Sequence, residues 1–199
     1  MRRLLHMVST LLCALMAAGA ASSMAAPGAA GSNHLKGSRS PYLQRASQDL
    51  VDWYPWGEEA FKKAKDLDRP ILLDLGAEWC PYCSQMDRES YTQPELAKFI
   101  NDQFVAVKLD YDSQPEIAAR LQRAQAFMNL PVGLPLTAFL SPSGKLYFGG
   151  GYFPARSQAG KPSLQEVMNG ALHMFREQRE VVEQAGFDVR KKEGTQIHE

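Results

Sequence analysis

One junction constrains the fold of this chain more than any other: the apolar run Ile71-Leu72-Leu73-Asp74-Leu75, bounded by Pro70 and Gly76, leads within a few residues into Cys80-Pro81-Tyr82-Cys83. A short run apolar at successive positions reads as a strand buried on both faces, as in a parallel sheet covered by helices. Parallel neighbours need a crossover, so the chain is committed to layered α/β architecture. The segment from Cys80 to about Tyr91 reads as helix, which puts Cys80 where strand hands over to helix.

The rest of the pattern follows. Pro94 opens a helical stretch with Leu96, Phe99 and Ile100 at helical spacing, and Phe104 to Leu109 reads as a second strand. Ser113 and Glu116 form a capping box with Pro115 in the first turn, ahead of an apolar face of Ile117, Leu121 and Phe127 or Met128. Leu136 to Leu140, the turn Ser141-Pro142-Ser143-Gly144 and Lys145 to Phe148 predict a hairpin. A second capping box, Ser163 with Glu166, precedes a stripe of Leu164, Val167, Met168, Ala171, Leu172 and Phe175. The expected order is β-α-β-α-β-β-α, a central mixed sheet flanked by helices, with one further helix over Trp53 to Lys65 and no internal repeat.

The chain start reads differently. Met1-Arg2-Arg3 is basic, Leu4 to about Ala21 is almost wholly apolar, and Ser23-Met24-Ala25 supplies small residues for an export peptidase. The expectation is a signal peptide over residues 1–25, a flexible leader over 26–40, one domain over 41–188 and a polar tail over 189–199, with the mature protein periplasmic or secreted. An uncleaved N-terminal membrane anchor is the alternative. Cys13 follows Leu11 and Leu12, which does not suit lipid attachment.

Cleavage would reduce three cysteines to two, Cys80 and Cys83. A four-residue ring is a poor staple: loop entropy gives it about 2 kcal/mol, against about 4.7 for a hundred-residue loop. It is a good redox couple. Cys80 at a helix start meets unpaired N–H groups and the positive dipole end, which favour its thiolate, and Cys83 one turn later can resolve a mixed disulfide. Zinc is the competing reading, but the partners would be His34, His173 and His198, none in ligand spacing. No metal is expected, and no cofactor beyond the redox-active disulfide. With 22 Lys plus Arg against 22 Asp plus Glu, nothing recruits nucleic acid.

Asp74 is expensive in so apolar a strand. It reads as a proton acceptor for Cys83, acting through water, or as a strand-end carboxylate bonding loop N–H groups. Lys108 in the second strand either lies beside Asp74 and tunes it or snorkels from an edge. Trp79 is a docking surface or a lid. With Pro81 and Tyr82 between the cysteines, and with Leu134 and Pro135, it makes up the expected substrate contact. Gly149-Gly150-Gly151 follows a hairpin strand and lacks the Lys-Ser/Thr of a phosphate loop, so it reads as tight packing or a turn.

The stretch Ile71 to Cys83, with its buried aspartate and the tryptophan before the first cysteine, resembles the active-site strand of thioredoxins. Val132-Gly133-Leu134-Pro135 resembles the cis-proline loop of that superfamily and of the C-terminal domain of the bacterial periplasmic electron-carrying disulfide reductase. A longer resemblance rests on Asn33-His34-Leu35, Ser40-Pro41-Tyr42-Leu43, Val51-Asp52-Trp53-Tyr54-Pro55-Trp56 and Gly149 through Pro154. These are similar to the N-terminal thioredoxin-like domain of the DUF255 (spermatogenesis-associated protein 20-like) family. The departures are the lack of the large helical domain that usually follows, the Pro-Tyr pair between the cysteines as in glutaredoxins, and Ala46 and Gln48 where relatives commonly carry histidine.

The resemblance implies a thioredoxin-like fold, a cis bond before Pro135, and exchange with protein thiols and disulfides. The Pro-Tyr pair suggests a potential of about −200 to −230 mV. The apolar Leu134 is more like reductases than isomerases, and a reductase in an oxidising space would draw on a membrane electron donor. The chain is expected to act as a monomer. A thioredoxin-fold binding or chaperone module with incidental cysteines is the alternative class.

Overall fold

The computed structural model describes residues 33–158 and 160–191; the expected signal peptide over 1–25 and His198 lie outside the described residues. The elements are α1 (Pro41–Ala46), β1 (Trp53–Pro55), α2 (Glu58–Leu67), β2 (Ile71–Gly76), α3 (Pro81–Met86), α4 (Pro94–Gln103), β3 (Val105–Asp110), α5 (Pro115–Phe127), β4 (Leu136–Leu140), β5 (Lys145–Gly150), α6 (Leu164–Glu177), α7 (Arg179–Ala185) and β6 (Phe187–Asp188). After α3 the helix continues as a π-helical turn over Asp87–Tyr91. The strands form one mixed sheet in the order β1-β3-β2-β4-β5-β6. β1, β3 and β2 run parallel, while β4 and β5 are antiparallel to their neighbours.

Alternation along β2 divides the core. Ile71, Leu73 and Leu75 pack on one face with α2 and α5 residues such as Phe61 and Leu121. Leu72 points to the other, where Tyr42, Trp53, Cys83, Ile100 and the α6 stripe collect. Asp74 and Gly76 share the parity of Leu72, so the carboxylate is aimed at the face that carries the cysteines.

Several local expectations differ from the structure. Trp53 to Lys65 is not one helix: Trp53 and Tyr54 are both buried on opposite faces of a strand paired with β3, and α2 begins only after Gly57. Pro55 is tolerated there because β1 is an edge strand. The Ser113 capping box does not form, since Pro115 is the first helical residue and Gln114 the cap; Ser113 donates instead to Asp110 Oδ2 at 2.5 Å. Of Phe127 and Met128, Phe127 is 66% exposed and Met128 is the one packed against the core, beyond the buried Ala118, Leu121 and Ala124 of α5. The leader drawn over 26–40 is folded over its described part: Asn33 Nδ2 donates to the carbonyls of Ala46 and Val51 at 2.7 and 3.0 Å, and Leu35 is buried. At the other end the packing passes residue 188, with Val189 buried and Arg190 paired to Glu58.

The Ser163–Glu166 capping box is present, and all six stripe residues of α6 are buried. The glycine run is a packing feature: a Cβ at Gly149 would stand 2.8 Å from Thr137 O, and one at Gly150 would stand 2.5 Å from the Phe153 ring.

Candidate active site

Cys80 is the N-cap of α3, extended at φ −87° and ψ 110°, with Pro81 filling the first helical position where no N–H is needed. Its Sγ accepts a hydrogen bond from the Cys83 backbone N–H at 3.1 Å. Cys80 and Cys83 form a disulfide with a Cα separation of 5.3 Å. Cleaved, it would leave the Cys80 sulfur against the donor end of a helix, and its thiolate is the form that N–H groups stabilise.

In front of Cys80 lies a cleft of about 310 Å³ lined by Trp79, Cys80, Pro81, Tyr82, Gly133 and Leu134, together with Tyr111 and Gln122. Trp79 and Tyr82 flank it at 62% and 60% exposure. Trp79 is oriented by donation from Nε1 to Asp112 Oδ2 at 2.8 Å, and the Tyr82 ring lies 5.8 Å from that of Tyr152. The Leu134-Pro135 peptide is cis. Gln125, buried on α5, donates from Nε2 to Pro131 O at 2.9 Å and tethers this loop from behind. A 360 Å³ cavity at the opposite end of β2 is remote from the cysteines, and its Arg69, Arg176 and Arg179 already bond Asn101 O, Gln103 and Asp68.

Behind Cys83 sits a buried charge network. Asp74 and Lys108 are opposite one another in the β2–β3 register, and the Lys108 Nζ pairs with Asp74 Oδ2. Nζ also reaches Asp87 Oδ1 at 2.7 Å and lies over the rings of Tyr42, Trp53 and Tyr91 at 4.8, 4.9 and 5.1 Å. Asp74 is 2% exposed. Burial raises its pKa above the usual carboxylate value, with Lys108 offsetting part of the rise. Burial pulls Lys108 the other way, yet Asp74, Tyr42 and Asp87 hold it well above the ordinary lysine value, so the ammonium persists. The Tyr42 hydroxyl completes the set, donating to Asp74 Oδ2 at 3.5 Å.

The expected site residues thus fall into two groups. Cys80, Trp79, Pro81, Tyr82 and Leu134 meet at the cleft, with Pro135 behind Leu134; Asp74 and Lys108 stand on the inner side of Cys83 and outside the cleft lining. Asp74 lies mid-strand in a salt bridge, and Lys108 is wholly buried beside it, not snorkelling from an edge. Sequence reasoning missed Tyr42, Trp53, Tyr91 and Asp87 as the surroundings of Lys108. For Asp87 the signal was available: it follows Cys83 by one helical turn, on the same side.

Residues 32–192 match a family described as a protein of unknown function, DUF255 (Thioredox_DsbH). An uncharacterised protein of Caenorhabditis elegans is 34% identical over 159 residues, 80% of this chain and 22% of that protein. Spermatogenesis-associated protein 20 of Rattus norvegicus is 34% identical over 136 residues, 68% of this chain and 17% of that protein. The chain therefore spans less than a quarter of the length of these curated relatives. Among solved structures, a thioredoxin from Thermus thermophilus superposes with a TM-score of 0.46 at 25% identity, covering 62% of this chain and 89% of that one. The family match takes in every strand of the sheet and both cysteines, and the chain belongs to the DUF255 family, with a thioredoxin-like fold.

Proposed function

We propose that this chain is an exported thiol-disulfide oxidoreductase that reduces disulfides in other proteins. The observation that carries the reading is the placement of Cys80: it caps a helix and contributes to the lining of a cleft, while Cys83, one turn behind it, does not, both residues being buried in the disulfide form. In the reduced form the Cys80 thiolate attacks one sulfur of a client disulfide, and the other client sulfur leaves with the electron pair. The Cys83 thiolate then attacks Cys80 Sγ, releasing the second client sulfur and closing the Cys80–Cys83 bond. Two electrons have passed to the client, and a membrane-borne donor restores the dithiol.

The cleft residues hold the client. An extended peptide pairs with the backbone of Leu134 ahead of Pro135, while Trp79, Pro81 and Tyr82 supply apolar contact. Asp74 accepts the proton that Cys83 must shed, and Lys108 keeps that carboxylate from remaining an unpaired buried charge. The basic start and apolar stretch at residues 1–25 support export, and the protein acts as a monomer without metal or nucleic acid.

Cys83→Ser tests the assignment. It is expected to accumulate mixed disulfides with clients that a reductant releases, while the Cys80→Ser/Cys83→Ser double variant accumulates none. A wild-type protein that fails to reduce insulin, combined with no trapping by Cys83→Ser, would overturn the reading. A redox titration is expected to place the couple at about −200 to −230 mV.

A further inference from the structure

We propose that the Tyr42 hydroxyl is the group through which a proton passes between Cys83 and Asp74, in the position where the sequence suggested water. The inference rests on the redox reading above and names a residue that the reading does not use. Tyr42 comes from α1, outside the β-α-β-α-β-β-α core. Ser40 caps that helix by accepting from Leu43 N, and the Asn33 side chain ties down its C-terminal end.

The hydroxyl fills the space beside Gly76 that a side chain would occupy: a Cβ there would stand 2.1 Å from Tyr42 Oη and 3.2 Å from Cys83 Sγ. Hydroxyl and sulfur therefore border the same small space left by the missing side chain of a glycine. On its other side the same hydroxyl donates to Asp74 Oδ2 at 3.5 Å. A hydroxyl is both donor and acceptor, which a relay requires.

In the resolving step the Cys83 S–H gives its proton to Tyr42 Oη as the Tyr42 O–H gives its own to Asp74 Oδ2. The Cys83 thiolate attacks Cys80 Sγ, the bond between Cys80 and the client breaks, and the client sulfur leaves with the electron pair. Asp74 is now neutral, and Lys108 keeps Asp87 as counter-ion at 2.7 Å. The groups facing Tyr42 are Asp74 on β2, Lys108 on β3, Asp87 after α3 and the Tyr91 ring beyond it, with Arg45 on its own helix. Burial and the neighbouring carboxylates hold the phenol well above its ordinary pKa, so Tyr42 stays neutral at rest.

The test uses the reduced mature protein and an aromatic disulfide that releases a coloured thiolate. The first equivalent reports attack by Cys80 and the second reports resolution by Cys83, each followed against pH. Tyr42→Phe keeps the ring and is expected to leave the first phase unchanged. It should slow the second about tenfold near neutral pH and move its midpoint about one unit higher. Asp74→Asn should do the same, with the double variant no slower than either single one, because the two act in series. A second phase unaltered by Tyr42→Phe, or fully additive losses, would overturn the relay; a wild type with no first phase would instead overturn the redox reading. Should Tyr42→Phe unfold, NMR titration of the reduced wild type decides: Tyr42 Cζ and Asp74 Cγ must follow the Cys83 midpoint, and independent curves count against the relay.

Discussion

Lys108→Met strikes the hub of the buried network. Methionine keeps the stem and its packing but deletes the ammonium that pairs with Asp74 and Asp87 and lies over three aromatic rings. Removing one partner of a buried ion pair costs about 3–5 kcal/mol, because the charge left behind is desolvated. A second route gives a similar figure. Asp74 escapes ionisation by binding a proton, and holding a carboxyl of unfolded pKa about 3.9 neutral at pH 7 costs up to about 4 kcal/mol at 1.36 kcal/mol per unit. The expected loss at neutral pH is therefore about 4 kcal/mol, to which lost cation–π contact adds about 0.5–2 kcal/mol per ring, independent of pH.

The sign of the pH dependence follows from burial, which raises the folded pKa of Asp74 above its unfolded value. Stability carried by the protonated form is fully present below the unfolded pKa and is lost as pH rises through the folded one. Lys108→Met should thus be most stable near pH 4 and weaken toward pH 8, with a steeper dependence than the wild type. Urea unfolding of the disulfide form, which keeps redox chemistry out of the measurement, reads this directly. Asp74→Asn with Lys108→Met removes the Asp74 titration and should be flatter with pH and more stable at pH 7 than the single variant. A Lys108→Met loss of equal size at both ends of the range, or one below about 1 kcal/mol, would refute the electrostatic account.

Asp49 accepts from Trp53 Nε1 at 3.0 Å, and burial pushes its pKa up to about 6 despite the pull of Lys108 and that hydrogen bond. Because the folded value lies above the unfolded one, ionised Asp49 is a liability above that pH; after discounting for partial exposure, Asp49→Asn should gain of order 1 kcal/mol at pH 8 and nothing below about pH 4, as urea midpoints at the two pH values will show. Ser163→Ala removes the N-cap of α6, whose side chain accepts from Glu166 N, and should cost about 1 kcal/mol in urea unfolding without changing the rate at which Cys80 reacts with a small disulfide.

What was legible in the sequence was whatever broke its own local pattern. β2, β3 and β4 are apolar on both faces and stand out from their flanks, whereas β1 has three residues ending in proline and β6 has two, too short for any period to register. α1 is only six residues long and is held by a cap and by tertiary contacts. The site divides the same way. The cysteine pair is a local string, and Asp74 and Lys108 are each an anomaly in an apolar run. Tyr42 and Trp53 break no rule where they stand, so only the fold reveals them.

Yet these silent residues decide what Asp74 and Lys108 can do. The Tyr42 and Trp53 rings cover the ammonium at 4.8 and 4.9 Å, and both come from the N-terminal segment outside the strand-helix core. Without that segment Lys108 and Asp74 would face water, where an ion pair is worth little and a carboxylate stays ionised near neutrality. With it, the pair is sealed, Asp74 can take and return a proton, and the Tyr42 hydroxyl lies between Asp74 and the space beside Cys83. The segment ahead of α2, in which the sequence marks no site residue, thus shapes the electrostatics beside Cys83.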